Sequence, residues 1–141
     1  TLLIEHILKK AKKNVRSVGN INRGLCMQIF KNNYEYYILE LSSFQLRDSF
    51  NIKPYIAIIL NISEDHIDEH GSFDNYIASK IKINKNQDLS NHFIFYSGDE
   101  ILNIMIHTDN IKSNLYTFSS SEEKKKIPFL FGKNKNQNIN K

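Results

Sequence analysis

The sequence predicts an α/β protein with a doubly wound, mostly parallel sheet. Short apolar runs alternate with segments of helical periodicity along most of the 141 residues, the pattern of successive strand–helix–strand units. Two runs, 37–41 and 56–62, are nearly continuous rather than alternating, which is typical of strands buried on both faces of a parallel sheet. We therefore expect one domain that binds its ligands beyond the carboxyl ends of its strands.

The first helix is predicted over residues 2–13, where apolar residues recur at helical spacing and lysines gather at the carboxyl end. A helix lying on a membrane surface is the alternative for this segment. A short strand at 15–18 ends in Gly19-Asn20, a pair that commonly forms a tight turn. A second short helix is predicted next, over residues 23–31.

The middle of the chain carries a second long helical pattern. A short helical turn is expected up to Asn51, before the strand at 56–62. Apolar residues then recur at helical spacing over 73–84, with Ser72 as the N-cap. Lys80 lies on the apolar stripe of this helix, where a lysine either extends its ammonium to solvent or has a functional role.

The last third of the chain repeats the strand–helix alternation. Strands are predicted at 92–96 and 115–118, with a helix over 99–106 between them. A polar loop at 119–126 precedes a short apolar segment at 127–131 and an end rich in Asn and Lys.

The candidate site follows the two continuous apolar runs. The polar residues there are Glu40, Ser42, Ser43 and Gln45 at the tip of the first strand, and Asn61, Glu64, Asp65 and His66 at the tip of the second. Because neighbouring parallel strands end at the same edge of a sheet, we expect Glu40 and His66 to lie close together. A carboxylate facing an imidazole could form part of a metal and phosphate site.

The composition favours some partners over others. The formal charge is +4, but the lysines are spread along the chain, which favours a solvated surface over a nucleic-acid groove. The single cysteine, Cys26, excludes an internal disulfide and fits a reducing compartment. No apolar run approaches the length of a membrane span. His92 and His107 have no acidic or cysteine companion at ligand spacing, so we interpret them as structural.

Three segments, in this order, resemble one family. GNI at 19–21, LELSSFQL at 39–46 and LNISEDHIDEHGSFDNYIASK at 60–80 are similar to the central ATP-binding domain of the Mur ligases. The stretch ELSSFQL resembles the member that adds D-glutamate to UDP-N-acetylmuramoyl-L-alanine, through an acyl phosphate formed with ATP. The resemblance implies a cytoplasmic, monomeric ligase of peptidoglycan precursor synthesis. Its cofactor would be Mg²⁺. Its partners would be UDP-N-acetylmuramoyl-L-alanine, D-glutamate and ATP, with no nucleic acid and no membrane.

The resemblance also implies roles for individual residues. Metal-binding and catalytic roles fall on Glu40, His66 and Lys80, the last as a carbamate formed with CO₂. Positions that hold the UDP-sugar peptide correspond to Asn20, Ser42 and Gln45. Nucleotide-binding positions correspond to Thr1 and Asn138.

The sequence departs from the family pattern at several positions. Asn22 replaces the second glycine of GNIG, Glu69 stands where arginine is usual, and Asn134 and Lys135 replace a His-Asn pair. The GxxGKT phosphate loop and two flanking domains of the family are absent, so residues 1–141 are expected to be part of a central domain that is inactive alone. The alternative is a non-catalytic remnant, or a domain that binds a nucleotide or a partner. LSSFQL argues against a folate-polyglutamate ligase.

Overall fold

The chain divides into two compact units, each built from two stretches of sequence. The computed structural model describes residues 1–21, 24, 28, 33–108 and 110–119. The first unit comprises Thr1–Lys53 and Glu64–Asn86, and the second comprises Pro54–Ser63 and Gln87–Lys141.

The described elements are six helical segments and five strands, divided between the two units. The first unit contains α1 (Leu2–Lys10), β1 (Val15–Gly19), β2 (Tyr36–Glu40), α2 (Ser43–Arg47), α3 (Ile67–His70) and α4 (Phe73–Ile81), the last followed by a 3₁₀ turn at Lys82–Asn84. The second unit contains β3 (Ile56–Ile59), β4 (His92–Tyr96), α5 (Glu100–Thr108) and β5 (Asn114–Phe118).

Each unit has its own sheet, and every described strand pair is parallel. In the first unit β1 pairs with β2, from Val15 opposite Tyr36 to Gly19 opposite Glu40. In the second unit β4 lies between β3 and β5. The predicted α/β class with parallel strands is therefore confirmed.

The expectation that β2 and β3 are neighbouring strands is wrong. Within the described residues, β2 is bonded to β1 and β3 to β4, in separate sheets. An apolar run predicts that a strand forms, but its partner is chosen by contacts between residues distant in sequence.

Burial on both faces was also expected for these two strands, and the structure contradicts it. Tyr36 and Leu39 of β2 are exposed, and so is Ile56 of β3. Apolar residues make burial of a strand favourable. Whether each of its faces is buried depends on which other helices and strands pack against it.

The apolar core of each unit is formed by its strands and the helices packed on them. In the first unit the buried apolar residues are Val15, Val18, Leu46, Tyr76, Ile77 and Ile81. In the second unit they are Ala57, Ile59, Ile62, Phe93, Phe95, Leu102 and Ile106. Phe93 and Leu102 are completely buried, so they are the centre of the second core.

Helix α1 packs against β1 and buries a charged residue. Glu5 is buried, and its carboxylate lies 2.6 Å from the ammonium of Lys9 one turn later. The hydrogen bond from Lys9, with a smaller one from Ser17, lowers the pKa of Glu5 from 4.5 to about 2. The carboxylate therefore remains charged when the protein folds.

Several element boundaries differ from the predictions. Helix α1 ends at Lys10 rather than at residue 13, because Lys12 takes a φ of 59° that leaves the helical region. Strand β3 ends at Ile59, three residues earlier than predicted. Most of the helix predicted at 23–31, and the whole segment 127–131, lie outside the described residues.

Candidate functional site

The tip of the β1–β2 pair brings two of the predicted site residues together. The main-chain N–H of Asn20 donates a hydrogen bond of 2.8 Å to the carbonyl of Glu40. Gly19 has a φ of +98°, and a Cβ at this position would lie 2.3 Å from that carbonyl oxygen, so the close approach requires glycine. Asn20 is exposed and Glu40 is half-buried at the end of its strand. An amide and a carboxylate therefore lie at one strand edge.

Ser42 and Gln45, both predicted to hold substrate, bond to each other across the start of α2. The Ser42 hydroxyl accepts from the Gln45 N–H at 3.2 Å, and the Gln45 side chain accepts from the Ser42 N–H at 2.9 Å. This is a capping box, in which the first turn of a helix satisfies its free N–H groups. The two side chains thus fix the start of α2, directly after Glu40.

His66 belongs to the first unit and immediately precedes α3. Its backbone is left-handed, with φ 52° and ψ 34°, a conformation that costs a non-glycine residue about 1 kcal/mol. The side chain is 51% exposed, with Nε2 3.5 Å from the Asp65 carboxylate. The imidazole lies 5.2 Å, between ring centroids, from Phe44 of α2. The proposed ligand is therefore beside the helix that follows Glu40.

His70 is buried where α2, α3 and α4 meet, and sequence reasoning missed it. Its Nε2 lies 3.0 Å from the Ser43 hydroxyl and its Nδ1 lies 3.5 Å from the Ser79 hydroxyl. The ring stacks on Phe44, with centroids 4.9 Å apart and planes 11° apart. Gly71, in a left-handed conformation with φ 77°, ends α3 just after it. His70 is therefore held by polar and aromatic contacts together.

Lys80 projects from α4 and contacts an aromatic ring. Its ammonium lies 5.0 Å from the centroid of Tyr76, one turn earlier, a distance that allows a cation–π interaction. Tyr76 in turn meets His70 edge-on, with centroids 5.4 Å apart. A continuous series of ring contacts thus joins Lys80 to His66, through Tyr76, His70 and Phe44.

Charged groups lie on the solvent side of Phe44. The Arg47 guanidinium is 5.4 Å from the centroid of the Phe44 ring, and it also donates to Asp48 at 3.0 Å. That hydrogen bond lowers the pKa of Asp48 and raises the pKa of Arg47. Both groups are exposed, so water screens the attraction and its contribution to stability is small.

The donor chemistry of the predicted ligands fits Mg²⁺ in part. Among residues 33–108, the part of the chain that contains all three, no group of three or more His, Cys, Asp or Glu side chains could hold a metal ion. Mg²⁺ needs few protein ligands, because it keeps waters and binds substrate phosphates. The Glu40 carboxylate suits it, whereas the imidazole of His66 suits it less well. An unmodified Lys80 has no lone pair to offer.

Of the two residues predicted to bind the nucleotide, the structure describes Thr1 but not Asn138. Thr1 is the N-cap of α1 without a capping bond from its side chain, and its carbonyl accepts from the Glu5 N–H at 3.1 Å. Asn138, together with Asn134 and Lys135, lies outside the described residues.

Some of what the prediction missed was present in the sequence. Ser42 and Gln45 have the S-x-x-Q spacing of a capping box, and this pattern indicates where α2 begins. The contacts among Ser43, His70 and Ser79 join positions up to 27 residues apart, and no local pattern indicates them.

The family comparison covers nearly the whole chain. Residues 1–140 match the Mur ligase middle domain family. In the described part of the chain, no helix is both long enough and apolar enough to cross a membrane.

Several individual relatives share one name, UDP-N-acetylmuramoylalanine--D-glutamate ligase. The protein from Bacteroides fragilis is 38% identical over 131 residues, which cover 92% of this chain and 30% of that protein. The Elusimicrobium minutum protein is 41% identical over 128 residues, 86% of this chain and 28% of that protein. The Cytophaga hutchinsonii protein is 42% identical over 103 residues, 72% of this chain and 23% of that protein. The chain spans less than a third of the length of these relatives.

Proposed function

The chain belongs to the Mur ligase family through its middle domain, and we propose that it is the phosphoryl-transfer part of a ligase that joins D-glutamate to UDP-N-acetylmuramoyl-L-alanine. The observation that carries the proposal is the 38% identity to a D-glutamate ligase over 92% of the chain. Glu40 and Asn20 at one strand tip, next to α2, support it with a suitable arrangement of polar groups.

The proposed reaction forms an amide in two steps. A carboxylate oxygen of the substrate attacks the γ-phosphorus of ATP, and the bond to ADP breaks with its electron pair leaving on ADP. The amine of D-glutamate then attacks the acyl carbon, loses a proton and displaces inorganic phosphate. The protein contributes mainly by positioning the groups and neutralising charge, since phosphoryl transfer needs little covalent chemistry from it.

We assign the proposed metal-binding roles to Glu40, His66 and Lys80. Mg²⁺ would supply charge neutralisation on the phosphate oxygens. Lys80 would act as a carbamate, which forms when the neutral amine attacks CO₂ and releases a proton. Lys80 is half-buried beside Tyr76, in the unit that also contains Glu40 and His66. Carbamylation removes the cation–π contact with Tyr76, so the two states of Lys80 differ measurably.

The proposed substrate contacts are Asn20, Ser42 and Gln45 for the UDP-sugar peptide, with Thr1 and Asn138 for the nucleotide. Asn20 is exposed next to Glu40, which supports a contact near the reacting phosphate. Ser42 and Gln45 fix the start of α2, so their role could be direct contact or placement of the helix. The proposal includes a cytoplasmic, monomeric ligase without nucleic-acid or membrane partners.

A chimera tests the proposed function. This chain would replace the matching 30% of the Bacteroides fragilis relative, and the product would be assayed for ADP release and for ligation of D-glutamate. We expect both, with Glu40→Ala reducing the rate by about 10²-fold, comparable to losing one electrostatic stabiliser.

The matched control is Glu35→Ala, immediately before the same strand, whose exposed side chain pairs with Lys13 at 3.6 Å. It should retain nearly full activity. Nucleotide binding without ligation in an otherwise folded chimera would favour the alternative of a non-catalytic binding domain and contradict the proposal.

A further inference from the structure

His70 is a buried polar residue to which the proposed function gives no role. It is 7% exposed and forms the last residue of α3, four positions after the proposed ligand His66. Its two ring nitrogens face the hydroxyl groups of Ser43 and Ser79. Three elements therefore meet on one imidazole.

The hydrogen bonds around His70 define its tautomer. The Ser79 hydroxyl donates its only proton to the carbonyl of Asn75, at 2.7 Å, so towards His70 it can only accept. Nδ1 therefore carries the proton and donates to Ser79, although the distance of 3.5 Å makes this bond weak. Nε2 is then the acceptor, and the buried Ser43 hydroxyl donates to it at 3.0 Å. The carbonyl of His70 also accepts from the Asn75 side chain at 2.9 Å.

The fixed imidazole of His70 supports the Phe44 ring on which His66 depends. Phe44 stacks on His70 at 4.9 Å and meets the His66 ring at 5.2 Å, so one phenyl ring contacts both histidines. His66 itself is half exposed, and its Nε2 lies 3.5 Å from the exposed carboxylate of the neighbouring Asp65. Packing against Phe44 is thus a strong restraint on where the His66 ring lies.

We propose that His70 is a positioning residue, which holds the Phe44 ring and through it orients His66 towards the ligand site. The inference rests on the proposed function for the role of His66, but the contacts among the three rings do not depend on it. Groups that orient a metal ligand typically change metal affinity by about 10 to 100-fold when they are lost.

Two substitutions separate ring stacking from hydrogen bonding. His70→Ala removes both, so in the chimera the Mg²⁺ concentration for half-maximal rate should rise by about 10-fold or more. His70→Phe keeps a ring against Phe44 but leaves the Ser43 hydroxyl without its acceptor. It should lower the melting temperature while keeping the Mg²⁺ requirement within about 3-fold of the parent, since orientation of the ligand is largely retained.

Nuclear magnetic resonance of histidine labelled with ¹⁵N and ¹³C gives a readout independent of activity. In the parent chimera the ring nitrogens of His70 should report the Nδ1–H tautomer. The His66 ring signals should shift in His70→Ala, because Phe44 changes position, and should stay near the parent values in His70→Phe. The matched control is His92→Gln in β4, whose ring contacts Tyr55 and Tyr116; it should leave the His66 signals unchanged.

The outcomes distinguish this inference from the proposed function. A chimera without ligase activity would overturn the proposed function, while a His66 shift in His70→Ala would still support the positioning role. An active chimera in which His70→Ala lowers stability, but leaves the His66 signals and the Mg²⁺ requirement at parent values, would overturn the inference. An Nε2–H tautomer of His70 would also contradict it.

Discussion

The two units of the chain use their polar side chains differently. In the second unit they mostly bond to main-chain groups: Asp99 accepts from the N–H groups of Ile62 and Leu102 at 2.7 and 3.0 Å, and Asn103 donates to two carbonyls at 2.7 and 2.9 Å. In the first unit side chains such as Ser79 also bond to main-chain carbonyls, but there two buried side chains also bond to each other, as His70 does with Ser43. Side chains that satisfy the main chain stabilise a fold, whereas buried side chains that meet each other define a particular geometry.

The first unit is also the one that contains the three residues proposed to bind the metal. Glu40, His66 and Lys80 all belong to it, and the ring contacts around His70 connect two of them. The described part of the second unit is a parallel sheet with one helix and an apolar centre at Phe93 and Leu102. Substitutions in the second unit should therefore affect stability, whereas those at Glu40, His66 or Lys80 should affect activity out of proportion to stability.

The largest effect on stability is expected from Phe93→Ala in the second unit. Phe93 is completely buried in β4, and removing a buried phenyl ring costs about 3–5 kcal/mol through lost burial and the cavity that remains. Urea unfolding of the 141-residue chain measures this loss. Phe50→Ala is the control, because Phe50 is 80% exposed, and it should change the free energy of unfolding by less than about 1 kcal/mol.

The largest effect on activity is expected from Lys80 in the first unit. Lys80→Ala should lower the rate of the chimera about 10²-fold or more, equivalent to about 2.7 kcal/mol, while stability changes little. Acetate should restore part of the rate by occupying the vacated space. Lys80→Arg should remain inactive, because a guanidinium cannot be carbamylated.

The control for Lys80 is Lys85→Ala, an exposed lysine just beyond the 3₁₀ turn. It should leave the rate unchanged. If Lys80→Arg were as active as the parent, Lys80 would be an ordinary lysine with its ammonium extended to solvent, and the contrast between the two units would lose its main support.

A pH-dependent contribution to stability is expected from Glu5 in the first unit. Its folded pKa of about 2 lies below the usual 4.5, so the unfolded state takes up the proton first as the pH falls. The stabilisation is present above pH 4.5 and is lost as the pH falls towards 2. Because Lys9 is 53% exposed, solvent screening reduces the contribution to about 1–2 kcal/mol.

Unfolding curves of the parent chain and Glu5→Gln between pH 6 and about pH 2 measure this contribution. The two should differ at pH 6 and converge in acid. Glu35→Gln, which removes the exposed pair with Lys13, should follow the parent throughout. Parallel curves for the parent and Glu5→Gln would show that the buried carboxylate does not contribute through its charge.

The smallest expected effect concerns Ser42, where stability and substrate binding overlap. Ser42→Ala removes the capping bond to Gln45 and should cost about 1 kcal/mol of stability, whereas Ser42→Asn retains a capping oxygen and should cost less. The KM for the UDP-sugar substrate separates the two roles. A raised KM in both variants indicates direct contact with the substrate, and a raised KM in Ser42→Ala alone indicates that Ser42 acts by placing α2.

The sequence by itself determined the α/β class, the parallel strands and most of the elements. Strand β4 occupies residues 92–96 as predicted, and the turn at Gly19-Asn20 follows β1. These features depend on periodicity and on backbone preferences within a few residues, which a sequence displays directly. Glu40, expected at the tip of its strand, is indeed the last residue of β2.

Only the tertiary structure decided which strands pair and which side chains meet. β2 and β3 read alike in the sequence, yet they belong to separate sheets. His70 follows His66 by four residues, yet it contacts Ser43 and Phe44, which lie 26 or 27 positions earlier in the chain. Such contacts form because burial of apolar surface brings distant segments together, and the partner of each polar group is then the one that packing places within hydrogen-bonding distance.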